Sequence, residues 1–328
     1  MNRRSNYFWA IGAAVGLIVL ILDTKTAING AYEGTMLCIR TLVPTLLPFI
    51  FLSDLLTSSI MGKRIPILRP VGRLCRIPEG AEYIFLTGLL GGYPTGARAI
   101  SQAQNTGLLS REDAKRMLGF CNNCGPAFIF GMASILFPQW WAPWLLLGIH
   151  VVSAMIVGAV LPGRQGAISF TVRTSVSPVA ALNRALHSMA GICGWVIIFR
   201  TVLAFWGRWF AWRFTPAIQA AICGLIEMTN GCVTLHRVSD QSMRFILCAG
   251  ILSFGGICVA MQSWFTAGLV SKDLYFPGKL LQSLISICIA SLVFGRLQGL
   301  IALPPAAVLV IYLTKSQKIC RNLQAVDV

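Results

Sequence analysis

The chain has 328 residues, is 56% hydrophobic and only 12% charged, and carries a formal net charge of +16 with a mean hydropathy of +0.72. Soluble domains carry about a quarter charged residues, so this composition excludes an ordinary soluble domain and predicts an all-α polytopic membrane protein. The basic excess then reads as loops facing anionic lipid, with the bilayer and not nucleic acid as its partner. The eleven cysteines lie scattered, mostly in apolar runs, and read as small hydrophobes and not as a disulfide framework.

In chain order, the first apolar run covers residues 7–22 and reads as a retained helix. Its shortness and the preceding Arg3 and Arg4 keep a cleaved signal peptide as the alternative. A second run, 35–60, is interrupted by Pro44 and Pro48. Next comes YIFLTGLL and then GGYPTGAR, residues 91–98, with three glycines and a proline in its first six positions. Such a stretch ends a helix. Residues 81–92 would make roughly 18 Å of helix, about half of a roughly 30 Å hydrocarbon core. They therefore predict one arm of a re-entrant hairpin, with its broken tip buried in protein or lining a wet cavity. Further runs fall at 117–137, 141–161 and 178–206. A second broken region spans 215–236, and three last runs cover 245–270, 280–294 and 300–314. PQWWAPW and FWGRWFAWRF predict interfacial aromatic belts, and Ser110-Arg-Glu-Asp113 a capped helix start.

With a cytoplasmic N-terminus, the basic residues divide unevenly. Lys63, Arg64, Arg69, Arg73, Arg76, Arg98, Arg111, Lys115 and Arg116 fall inside, as do Arg164, Arg173, Arg184, Lys272, Lys279, Lys315, Lys318 and Arg321. Only Lys25, Arg208, Arg213, Arg237, Arg244 and Arg296 fall outside. This is the positive-inside pattern, with both termini cytoplasmic.

The two halves also align. Gly88-Leu-Leu before GGYPTGA matches Gly224-Leu-Ile before EMTNGCV; RTLVPTLLPFIFLSDLL matches HSMAGICGWVIIFRTVL; FCNNCGPAFIFG matches GILSFGGICVAM. The implied organisation is an N-terminal helix (1–30), a first unit (31–161, hairpin 81–106), a second unit (178–296, hairpin 215–236) and a C-terminal helix (298–314). Three crossings per unit make the second copy inverted, and paired broken segments in inverted repeats mark the binding site of a transporter.

The candidate substrate-binding residues are therefore those at the breaks. In the first unit they are Tyr93, Pro94, Thr95, Gly96, Asn122, Asn123 and Gly125; in the second, Glu227, Thr229, Asn230, Ser253 and Gln262. Half-helix N-termini there suit an anion, and the asparagines can serve substrate and freed backbone alike. Charged residues within spans, Arg40, Asp54, Arg200 and Glu227, are functional candidates because lipid penalises them. A mutual Asp54–Arg200 ion pair is the structural alternative for those two, and Arg40 has the option of snorkelling. A desolvated Glu227 at a hairpin tip suits proton coupling. No catalytic constellation, metal cluster or cofactor motif is apparent. Cys121-x-x-Cys124 has redox spacing but no redox context, and transport admits H+ or Na+ as coupling ion.

GLLGGYPTGA, LSREDAKRMLGFCNNCGPAFIFG, GLIEMTNG and SFGGICVAMQ, in that order, resemble the YlbJ/SpoVV-type sporulation integral membrane proteins, which carry the nucleoside-recognition Gate domain. That domain is distantly similar to the core of concentrative nucleoside transporters. The resemblance covers residues 32–296. It implies a protein of the mother-cell-derived outer forespore membrane that moves dipicolinate, a small aromatic dicarboxylate. The alternatives are a nucleoside or other organic-anion transporter and a non-transporting assembly factor. Homo-oligomers or other sporulation membrane proteins are the implied protein partners.

Overall fold

The structure is a computed structural model that describes residues 3–61, 63, 65–161 and 177–324, all helix and connection. The expected inside positions Arg64, Arg164 and Arg173 lie outside these residues, as do the side chains of Lys315, Lys318 and Arg321. Among the described residues, six segments are long and apolar enough to cross a membrane: Thr24–Ile60, Ala142–Val160, Pro178–Trp209, Gln241–Ala267, Tyr275–Val293 and Leu297–Thr314. The architecture is that of a polytopic helical membrane protein.

Helix α1 (Arg3–Leu22) ends one residue before α2 (Thr24–Leu37). The second span thus begins at Thr24 and not at residue 35. Its start is fixed by Asp23, whose carboxylate accepts from the Thr26 N–H. The small residues of α2 pack inward: a Cβ on Gly30 would lie 2.8 Å from the Thr201 Cα, and one on Gly34 2.9 Å from the Ile197 Cα. Gly30-x-x-x-Gly34 is the close-approach spacing of membrane helices, here against α10 (Pro178–Trp209). A π-turn, Cys38–Leu42, joins α2 to α3 (Val43–Ile60). Pro44 lacks the N–H that a regular turn would need, and the wider turn absorbs the loss.

A short α4 (Arg69–Leu74) leads to α5 (Glu82–Gly91) and α6 (Thr95–Asn105), two antiparallel arms joined by the tip of GGYPTGAR. Helix α7 (Arg111–Leu118) starts at the Ser110 cap, whose hydroxyl accepts from the Asp113 N–H at 3.0 Å. The 117–137 run is not one helix. Residues 119–125 are irregular, and α8 (Pro126–Leu136) follows, then α9 (Ala142–Val160). After α10 come the arms α11 (Pro216–Ile226) and α12 (Met228–Thr234). Then α13 (Gln241–Phe254) and α14 (Gly256–Ala267) are broken at Gly255, and α15 (Tyr275–Val293) and α16 (Leu303–Gln324) follow. Gly255 and Gly256 both take positive φ, +82° and +83°, which only glycine adopts without cost. The Gln241–Ala267 segment is the most enclosed of the six, 78% buried, so this break lies in the protein interior. Trp140, at 81% exposure, stands on the outer surface as an interfacial belt requires.

Two basic residues expected in loops are instead interior. Arg116 is 2% exposed. Its guanidinium donates to Leu161 O (2.9 Å) and Gly158 O (3.1 Å) at the end of α9, and to Arg76 O (3.2 Å) and Cys75 O after α4. It thereby satisfies the orphan carbonyls of two helix ends, with its plane 5.2 Å from the Phe120 ring. Lys279, in the first turns of α15, is 0% exposed. Outside the spans, Lys115 of α7 meets Asp273 at 3.1 Å. The Ser271 hydroxyl and then Lys115 hold that carboxyl below its ordinary range.

Replacing Arg116 by Met is expected to leave four carbonyls undonated and to cost about 3 kcal/mol or more. Arg116→Lys should restore only part, since an ammonium cannot span a planar four-carbonyl set. Thermal unfolding of the detergent-solubilised variants checks this; equal midpoints for wild type and Arg116→Met would refute it.

Candidate functional site

The two hairpin tips, the break before α8 and helix α14, which follows the Gly255 break, converge on one cleft of about 550 Å³ of empty space. Tip one contributes Gly91, Gly92 and Tyr93; tip two contributes Glu227, Met228 and Thr229. The break before α8 contributes Cys124 and Gly125, and α14 contributes Val259 and Gln262. Apolar side chains of the π-turn, α3, α8 and α10 complete the wall, among them Leu42, Phe49, Phe128 and Ile192. Tyr93, Gly125, Glu227, Thr229 and Gln262 of the expected site residues thus meet at one surface.

The backbone reaches this arrangement by extreme closeness. A Cβ on Gly88 would lie 1.8 Å from Cys121 O, and one on Gly96 2.2 Å from the same oxygen. Both arms of the first hairpin therefore rest directly on the 121–122 backbone. In the second hairpin, a Cβ on Gly231 would lie 2.3 Å from the Gly224 Cα. Thr95 closes tip one by donating to Thr87 O (3.2 Å) and Gly92 O (2.7 Å). Pro94 precedes it as the N-cap of α6.

The remaining expected residues serve the breaks, not the cleft wall. Asn122 accepts from the Ala97 N–H (3.2 Å) in the first turn of α6 and donates to Ser263 Oγ (2.7 Å). Asn123 donates to Phe120 O (2.8 Å) and accepts from Gln282 Nε2 (3.2 Å). The Tyr93 hydroxyl reaches from tip one toward Leu252 O (3.3 Å) and Ser253 O (3.4 Å), carbonyls freed by the Gly255 break. Ser253 belongs to a fully buried ring of polar groups. The Cys124 N–H donates to His150 Nε2 (3.0 Å), so the ring proton of a neutral His150 sits on Nδ1 and points to Ser253 Oγ (3.1 Å). Ser253 and Ser286 are 2.7 Å apart, Ser286 donates to Ser153 (2.8 Å), and Ser153 donates to His150 O (2.9 Å).

The charged candidates separate. Asp54 and Arg200 do not pair. Asp54 binds Arg184 (2.6 and 3.0 Å) and lies 3.6 Å from Arg98. Arg200 instead pairs with Glu33 at 2.5 Å and donates to Asn230 Oδ1. Residues in two aligned helices need not face each other, and here α2 fills the space beside Arg200. Arg40 is exposed on the π-turn and does not line the cleft. Glu227 is 2% exposed. Its oxygens accept from Thr229 N (2.9 Å), Asn230 N (2.7 Å) and Asn230 Nδ2 (2.7 Å), so it caps α12 as well as lining the cleft. The chain Glu227–Asn230–Arg200–Glu33 leads from the cleft to α2.

Sequence reasoning missed Lys279. Its ammonium lies 5.1 Å from the Tyr93 ring centroid, donates to Gln282 Oε1 (2.6 Å) and lies 3.5 Å from Asn123 Oδ1. Among the described residues no carboxylate pairs with it. A buried cation with only neutral partners, one ring away from a cleft, raises the local potential for an anion. The usable signal was Pro277-Gly278. The glycine lets the first turn of α15 press on Gly119, where a Cβ would meet Gly119 O at 2.4 Å.

The class these features define is a polytopic helical membrane protein with a central cleft formed at broken helices. Comparison of sequences places a relative beside it. Over 178 residues the chain is 26% identical to the sporulation integral membrane protein YlbJ of Bacillus subtilis (strain 168), covering 52% of this chain and 43% of that protein. This bears out the resemblance to the YlbJ-type sporulation proteins, and the match spans less than half of the relative's length. No family model matches the chain, and no solved structure matches it.

Gly88→Ala is expected to destabilise by about 1–3 kcal/mol or more, because backbone blocks the new methyl. Gly131→Ala, with nothing within 4 Å, is expected to be neutral. Unfolding midpoints of the two in detergent decide between crowding and a general intolerance of α5 and α8. His150→Phe should cost about 1–3 kcal/mol by orphaning the buried Cys124 N–H; a midpoint within error of wild type would show that amide has another partner.

Proposed function

We propose that this protein is a secondary transporter or facilitator, not an enzyme, and that it carries a small aromatic dicarboxylate, dipicolinate, across the outer forespore membrane during sporulation. The observation that carries the reading is the convergence of both hairpin tips, the break before α8 and helix α14 on one cleft. Open backbone at membrane depth is otherwise costly, and a wet substrate path is what makes use of it. The recurring order of long helix, hairpin, broken helix and closing helix supports two inverted units, residues 31–161 and 178–296, moving by alternating access. The uneven basic loops support cytoplasmic termini. The Lys279 ammonium behind the Tyr93 ring favours an anion with an aromatic body, which the ring can stack. Thr229 and Gln262 are the polar contacts within reach. The relative's name associates that protein with sporulation.

A second reading, a nucleoside transporter, is favoured by one specific observation. The charged or amide side chains of the cleft lining are Glu227 and Gln262, whereas Arg40 and Arg200 stand away from it. Such a lining suits a neutral, hydrogen-bonding ligand.

Uptake into proteoliposomes tests both. Saturable dipicolinate uptake, insensitive to excess uridine and reduced about tenfold or more in Gln262→Ala, supports the first reading. Inhibition by uridine with uptake of uridine itself establishes the second. Folded protein that moves neither points to a membrane assembly factor.

A further inference from the structure

Away from the cleft, a second polar region opens beside the first hairpin. A wide depression of about 710 Å³ of empty space, open to the surroundings, is lined by Arg98, Asn183, Arg184, His187, Ser188 and Phe265, with Thr266 beside them. Two arginines there share a single carboxylate. Arg184 donates to Asp54 Oδ2 through Nε (3.0 Å) and Nη2 (2.6 Å). Arg98 spends Nη2 on Arg184 O (2.8 Å), while its Nη1 stands 3.6 Å from Asp54 Oδ1. That Nη1 is buried and has no hydrogen-bond partner among the described residues; the same holds for Ser188 Oγ. The Asp54 side chain is 4% exposed and that of Arg184 43%, so the carboxylate is inside and one guanidinium is at the rim. His187 and Phe265 form a stacked pair, centroids 5.3 Å apart at 30°, along the wall.

This region connects toward the cleft. Arg98 also lines a smaller crevice of about 220 Å³ with Ser53, Asp54, Thr57, Thr87 and Thr95. Ser53 Oγ and Thr95 Oγ1 lie where a Cβ on Gly91 would be, at 2.6 and 2.5 Å, and Gly91 lines the cleft. Hydroxyls of α3, α5 and α6 thus line the crevice between the arginines and tip one.

We propose that Arg98 and Arg184 form a binding site for a small aromatic carboxylate at the mouth of this polar route, and that Asp54 occupies the site as an internal counter-anion until the ligand exchanges with it. Two guanidiniums against one carboxylate leave one positive charge, and charge-assisted bonds to a planar carboxylate are the strong ones. Arg98 Nη1 and Ser188 Oγ supply unused donors, and the His187–Phe265 wall supplies a face for an aromatic ring. Exchange unlocks the crevice, because the same Asp54 links α3 to α6 and α10. The role as a route rests on the transport reading; the binding site does not.

The test is equilibrium binding of dipicolinate to the full-length protein in detergent, alongside uptake. Asp54→Asn removes the competing carboxylate and is expected to tighten binding about tenfold, whereas Arg184→Gln weakens it about tenfold and Arg184→Lys recovers part. Gln262→Ala is expected to reduce uptake about tenfold or more and to leave binding at the arginine site in place. Unchanged or weaker binding in folded Asp54→Asn overturns the proposal, and so does unchanged binding in Arg184→Gln. Should phosphatidylglycerol vesicles, and not dipicolinate, show the Asp54 and Arg184 dependence, the site belongs to a lipid headgroup and the proposal falls. Wild-type uptake with binding indifferent to both residues removes the proposal and spares transport. Binding that follows the expected pattern without uptake removes the transport reading and spares the site.

Discussion

Buried backbone that is not in a helix must find hydrogen-bond partners within the protein, because lipid offers none. The chain opens its backbone at two hairpin tips and two helix breaks, and much of the interior is organised around those openings. The Gly255 break frees carbonyls of α13, and Tyr93 from the opposite hairpin reaches them. The 119–125 segment exposes the Cys124 amide, and His150 takes it. The first turn of α6 has an orphan at Ala97, and Asn122 accepts it. These three openings are repaired by residues from other elements, while Glu227 caps the second tip from within it, so the cleft and the fold are specified together.

Charge is handled by a different logic at each depth. Among the described residues Arg116 pairs with no carboxylate and donates instead to four carbonyl oxygens, which makes the cation a clamp on two helix ends. Lys279 has far less: one carboxamide oxygen at hydrogen-bond distance, another at 3.5 Å and an aromatic face. A group with such sparse compensation costs more to keep, and it stands next to Tyr93, which lines the cleft. Asp54 lies between these extremes, over-supplied with positive partners on a side that opens outward.

Glycine and proline made the breaks readable. GGYPTGAR and the stretch around Gly125-Pro126 forbid continuous helix, and the observed irregular segments lie there. The aromatic clusters and the Ser110 cap were legible for equally local reasons. Long-range partners were not. Nothing near Asp54 in sequence names Arg184, 130 residues away, and nothing near Lys279 announces burial beyond a glycine able to touch Gly119. The Gly30-x-x-x-Gly34 spacing was on view, but it sits in a polar-looking stretch, TKTAINGAYEG, which conceals the start of a span. Asparagines at a break were legible as hydrogen-bonding groups. Whether they face a ligand or the freed backbone depends on which side of the segment packs inward, and only the fold determines that.

The buried ring through His150 has a handedness. Followed from donor to acceptor it runs His150 to Ser253, to Ser286, to Ser153 and back to the His150 carbonyl, and it runs that way because the Cys124 amide holds Nε2. The Cys124 N–H at one end and the His150 carbonyl at the other therefore set the direction of three hydroxyls on three different helices. Reversing the links between Nδ1 and Ser153 requires Ser153 to give up the His150 carbonyl, which can only accept, and the imidazole to change tautomer, which would set two N–H groups against each other unless the 121–125 segment withdrew. The orientation of these protons is in this sense a record of where that segment lies, kept in the middle of the bundle and remote from any solvent that could erase it.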